Sequence, residues 1–218
     1  MFKTVMIAAG ALAMAGAANA SVLWSQGYDG SGTLYASQND TANFGNFATV
    51  YDDFTLSQTA NLNQIDVTGG YFNPGPPGNI ADFTLTIYAD AGGIPGGAIA
   101  SGVFGPNETL LSGNIDTYAF AFSPYQLGAG TYWVSLVPDM PFPPQWGWAT
   151  SGAGTGNAYQ CFFGTCGQIG GTNMAFDVLG TTVGVPEPAT WGLMLVGFGG
   201  LGAALRSKRR KLAAAAAA

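Results

Sequence analysis

Apolar and polar residues alternate along most of this chain, and the period is two. In ADFTLTIYAD, Phe83, Leu85 and Ile87 fall on one side and Thr84, Thr86 and Tyr88 on the other. That is the pattern of a strand with one face in a core. YDDFTL sets Phe54 and Leu56 together, and NQIDVTGGY does the same for Ile65 and Val67. DTYAFAF alternates Tyr118, Phe120 and Phe122 with small residues. GTYWVSLV divides into Tyr132, Val134 and Leu136 against Trp133, Ser135 and Val137, and NMAFDVLG offers Met174, Phe176 and Val178. Gly- and Pro-rich segments punctuate these runs at 73–79, 90–97, 128–130, 138–144 and 152–157. Gly supplies positive φ at such points and Pro presets φ. Many short strands, no helical period and no fixed repeat predict an all-β ectodomain over 21–180, a jelly-roll-like β-sandwich.

Two stretches break the alternation, one at each end. MFKTVMIAAGALAMAGAANA has one base, an apolar run and then Ala18-Asn19-Ala20. This predicts a secretory signal peptide over 1–20, cleaved before Ser21. At the other end, residues 189–205 carry no charge. As a helix they span about 26 Å, a short transmembrane helix against the ~17–25 residues a bilayer core requires. A linker over 181–188 precedes it, where Pro186 and Pro188 resist both strand pairing and helix continuation. The basic end 206–211 follows on the predicted cytoplasmic side, and Trp191 sits where an interfacial aromatic belongs. Gly192, Gly197, Gly199, Gly200 and Gly202 crowd this span. They serve close helix approach, or they reflect how common Gly is in membrane helices. The extension LAAAAAA, 212–218, is native or a cloning scar, and carries no functional argument.

Charge sharpens this picture. The chain has 6 Lys and Arg, 12 Asp and Glu, and no His. The bases are Lys3, Arg206, Lys208, Arg209, Arg210 and Lys211, so the ectodomain is purely acidic. Without Lys or Arg it has nothing to bind phosphates, which excludes nucleic acid as a partner. Most catalytic apparatus is excluded too: no His base, no Schiff-base Lys, no Arg clamp. The bases behind the apolar stretch read as a stop-transfer and orientation signal.

That tail, VPEPATWGLMLVGFGGLGAALRSKRR, resembles the PEP-CTERM sorting signal of exopolysaccharide-producing Gram-negative bacteria. The likeness covers about residues 185–210 and rests on Pro186-Glu187-Pro188, Trp191, Gly197-Phe198-Gly199, and Arg206, Lys208, Arg209 and Arg210, all in order. Gly192 stands where many members have Ala. The resemblance implies recognition by exosortase, a membrane cysteine transpeptidase. Cleavage near the Pro-Glu-Pro would follow transient inner-membrane anchoring, with release or transfer to the cell surface. DDFTL (52–56), FTLTIYADAGGIPGG (83–97), LGAGTYWVSL (127–136) and WGW (146–148) resemble the extracellular β-sandwich domains that accompany this tail, which seldom have an assigned activity.

Three groups of residues carry candidate chemistry. Cys161 and Cys166 are the only cysteines. In an exported chain a local disulfide is the expected state, whereas zinc normally needs four N or S ligands. Asp52 and Asp53 are the first choice for a calcium site, since extracellular Ca²⁺ uses carboxylates and backbone carbonyls; the plainer reading is a solvated acidic surface. Neighbours on a strand point to opposite faces, so this pair cannot by itself form the paired acid and base of a glycosidase. Trp146 and Trp148 in PFPPQWGWAT share a strand face and form either a stacking platform for sugar or part of the core. The expected function is therefore an exported, non-enzymatic surface or matrix protein associated with exopolysaccharide and requiring no cofactor. A lectin-like carbohydrate- or calcium-binding module and a secreted hydrolase are the alternatives.

Overall fold

The computed structural model of the chain describes residues 20–74, 78–183, 192, 194–202 and 205–206. The signal peptide expected over 1–20 lies outside them save for Ala20. The chain divides into two units, Met1–Thr182 and Val183–Ala218.

The first unit is built of strands. They are β1 (Ser21–Gln26), β2 (Leu34–Ala36), β3 (Gln38–Asp40), β4 (Gly45–Leu56), β5 (Ala60–Phe72), β6 (Asp82–Asp90), β7 (Pro95–Phe104) and β8 (Glu108–Ser112). There follow β9 (Ile115–Leu127), β10 (Gly130–Met140), β11 (Gln145–Ser151), β12 (Tyr159–Phe162), β13 (Thr165–Gln168), β14 (Asn173–Met174) and β15 (Phe176–Thr182). One sheet runs β1-β15-β5-β11-β14, with β2 beside β11 and β9 joining β5 to β8. The other runs β13-β12-β4-β3-β10-β6-β7, with β4 also pairing directly with β10.

The main core lies between the sheets, and the period-two pattern accounts for it. Leu62, Ile65, Val67, Phe120 and Val178 face inward from the first sheet. Val50, Phe54, Phe83, Leu85 and Val134 meet them from the second. Each such side chain contributes about 1.5–3 kcal/mol on leaving water. The β-sandwich expected from the alternation is present. Its strands run further than the turn chemistry implied. β10 continues through Pro138 and Asp139, inside the predicted turn 138–144, because β6 lies alongside and pairs Phe83 with Pro138 and Asp82 with Asp139. β7 likewise begins at Pro95, inside the predicted turn 90–97.

The second unit is helical at residues 192, 194–202 and 205–206, all exposed. Among the described residues no helix is long and apolar enough to cross a membrane. Residues 189–191, 193 and 203–204 of the predicted transmembrane helix lie outside the described residues.

Candidate functional site

Trp146 and Trp148 do share a face, but it is the inner one. Both are 0 % exposed. Trp146 meets Phe83 and Tyr118 edge-on at 5.7 and 5.8 Å and donates from Nε1 to the Tyr118 hydroxyl at 3.2 Å. A Cβ on Gly69 would stand 2.2 Å from its ring, so the neighbouring strand leaves that space to the indole. Trp148 packs on Phe176 at 5.7 Å and donates to the Ala175 carbonyl at 2.9 Å. The expected sugar platform is thus corrected: these indoles have no surface to offer, because every residue of β11 is buried.

Asp52 and Asp53 are not brought together either. Asp52 points inward between Val50 and Phe54 and reaches the opposite sheet, where its Oδ2 accepts from the Met174 N–H at 2.6 Å. Its Oδ1 accepts from the Asp53 N–H at 2.9 Å. Burial pushes this carboxyl up to about 8; the two N–H donors work downward and the neighbouring Asp53 charge upward. Asp53 points to the outer face, where it accepts from the Thr155 hydroxyl. Strand alternation has turned the two carboxyls to opposite faces of β4, Asp52 into the core and the also buried Asp53 toward the outer face, so the two do not converge on one site. Among the described residues, no cluster of three or more His, Cys, Asp or Glu could hold a metal ion.

Cys161 and Cys166 face each other across β12 and β13 and are joined, with an S–S distance of 2.00 Å. Of the tail residues, Gly197, Phe198, Gly199 and Arg206 are helical and exposed. Pro186, Glu187, Pro188, Trp191, Lys208, Arg209 and Arg210 lie outside the described residues.

The structure offers a site that sequence reasoning missed. β4 and β10 pair from Leu56↔Gly130 as far as Tyr51↔Ser135 and then separate. β3 is wedged into the gap, antiparallel to β4 and parallel to β10, with Asn39 opposite Asp139. The rung that would come next, Val50 with Leu136, is bridged by a side chain instead. The buried Ser37 hydroxyl accepts from the Val50 N–H at 3.2 Å and donates to the Leu136 carbonyl at 2.6 Å. A serine at the fork therefore satisfies the two backbone groups that the fork would orphan.

Over this fork, on the outer face of the sheet, lies a cleft of about 180 Å³. Thr49 and Tyr51 come from β4, Thr84, Thr86 and Tyr88 from β6, and Ser135 and Val137 from β10. Asn39, Asn46 and Asp139 complete its lining. These side chains hold one another in place. Asn39 donates to Asp139 Oδ1 at 2.9 Å, Thr49 to Asn46 Oδ1 at 3.1 Å, and Tyr88 and Ser135 share a bond of 3.1 Å. Tyr51 stands edge-on to Tyr88 at 5.3 Å and to Tyr159 at 6.3 Å. Burial and the adjacent Tyr88 push the Tyr51 phenol up, so it stays a neutral donor and acceptor at physiological pH. The signal was present in the sequence as Thr84, Thr86 and Tyr88, the polar side of the clearest strand. Nothing local said that Asn39 and Asp139 would close its end.

Residues 184–210 match the family model of the PEP-CTERM protein-sorting motif. The chain is thus a β-rich ectodomain carrying this C-terminal motif. The motif implies exosortase-dependent sorting of an exported surface protein at the cell envelope, with exosortase as the processing partner. No curated protein matches this chain.

Proposed function

We propose that the mature chain is a non-enzymatic surface or matrix protein of a Gram-negative envelope, and that it holds extracellular polysaccharide through the cleft over the β4/β10 fork. One observation carries the reading: the cleft combines tyrosines with amide and hydroxyl groups and has no cation. A sugar ring presents a C–H face that packs on aromatic carbon and hydroxyls that need both donors and acceptors, which Asn, Thr, Ser and Tyr supply. The cleft volume suits about one such ring at a time along a chain. On this reading the ectodomain is a jelly-roll-like sandwich presenting one sheet face to a glycan, and it works without a cofactor. The apolar stretch 189–205 holds the chain transiently in the inner membrane until exosortase acts.

Retention on exopolysaccharide purified from the host tests the cleft. Thr49→Ala with Tyr51→Ala removes a hydroxyl and a phenol from its floor and should reduce retention at least tenfold, as expected for a loss of about 1.4 kcal/mol or more. A thermal melt identifies any variant that fails to fold, and Thr86→Ala gives a milder second probe. Undiminished retention in folded variants overturns the reading.

A further inference from the structure

The proposed glycan site also carries a charge selectivity. Between Lys3 and Arg206 the chain has no Lys, Arg or His. No ectodomain side chain can therefore pair with the carboxylate, sulfate or phosphate of an acidic sugar. The cleft contributes a carboxylate of its own. Asp139 on β10 lines it, and among the described residues its carboxylate accepts one hydrogen bond, from Asn39 Nδ2 to Oδ1 at 2.9 Å. Asp82 on β6 stands directly opposite Asp139 in register, and residues so paired lie on the same face. An anion entering this end of the cleft would meet like charge with no counter-ion from the protein. A sugar hydroxyl in the same place would donate to the carboxylate.

We propose that the cleft selects uncharged glycans and that Asp139 is the residue that turns acidic ones away. The proposal rests on the glycan reading given above. It differs from a general repulsion by the acidic ectodomain in assigning the discrimination to one lining residue. Like charges brought together at a binding surface are an effective means of rejecting a wrong partner.

The test uses the full chain purified in mild detergent. Neutral gluco-oligosaccharides and uronate oligosaccharides of equal length are titrated by calorimetry at low salt. The neutral series should bind, and the uronate series should bind about tenfold more weakly or worse. The gap should narrow at 1 M NaCl, where the screening length falls to about 3 Å. Asp139→Asn keeps a carbonyl for the Asn39 donor and should shrink the gap about fivefold. Asp66→Asn, on the outer face of the other sheet, changes net charge equally and should leave the gap as it was. Uronate binding as tight as neutral binding overturns the proposal while leaving the glycan reading standing. So does a gap that Asp139→Asn leaves unchanged, or that both variants shrink alike. If neither series, nor the host exopolysaccharide, is bound, the glycan reading fails and this proposal with it.

Discussion

Ser37→Ala isolates the device that makes the fork. The Ser37 hydroxyl serves two buried backbone groups at once, the Val50 N–H and the Leu136 carbonyl. Ala removes a single oxygen and leaves both groups without that partner. An unsatisfied buried donor or acceptor costs about 1–3 kcal/mol. The fork cannot simply close, because β3 remains between the strands, held from both sides. Two orphaned groups give an expected loss of about 2–6 kcal/mol, a large part of the ~5–15 kcal/mol that a domain has in all. Urea unfolding followed by tryptophan fluorescence should show a lower midpoint with an unchanged m-value, since the surface exposed on unfolding is the same. The buried Trp133, Trp146 and Trp148 report the transition. A loss below about 0.5 kcal/mol, the scale of an ordinary surface substitution, would refute the argument. It would mean that water or a shifted strand satisfies Val50 and Leu136 equally well.

Asp52 gives a pH signature. Its carboxyl is raised from 3.8 to about 8 in the folded chain, so its contribution is fully present below pH ~4 and is lost as pH rises through ~8. The span of 8 − 3.8 sets a ceiling of about 6 kcal/mol on that loss. Asp52→Asn should flatten the fall in stability between pH 5 and 8.5; parallel curves for variant and wild type would count against a neutral buried acid. In the tail, Glu187→Gln should leave export intact but block processing, trapping a full-length membrane form detectable by C-terminal mass spectrometry. Normal processing of that variant would show that Glu187 does not take part in recognition.

Much of the sandwich was legible because burial of a one-sided strand writes itself into neighbouring positions. Phe83, Leu85 and Ile87 had to share a side, as did Ile65 and Val67, and a two-sheet core is the economical way to bury such sides together. The sorting motif was legible for a related reason: its residues lie within one short, contiguous segment that an enzyme reads as sequence. The cysteine pair followed from its short spacing and export. Periodicity says which residues share a face, but not which way that face turns. Trp146 and Trp148 were correctly placed on one side of one strand. Only the packing of β11 between neighbours, with Gly69 leaving room for an indole, decided that the side was inward. Asp52 was misleading for the complementary reason. Its inward place between Val50 and Phe54 follows from alternation, but the N–H of Met174 that receives it is 122 residues away. The cleft was beyond the sequence altogether. It exists because β3 enters between β4 and β10 and brings Asn39 beside Asp139, 100 residues apart in the chain. Local residue preferences specify strands and turns; which strands separate, and what is wedged between them, is decided by the free energy of the whole packed pair of sheets.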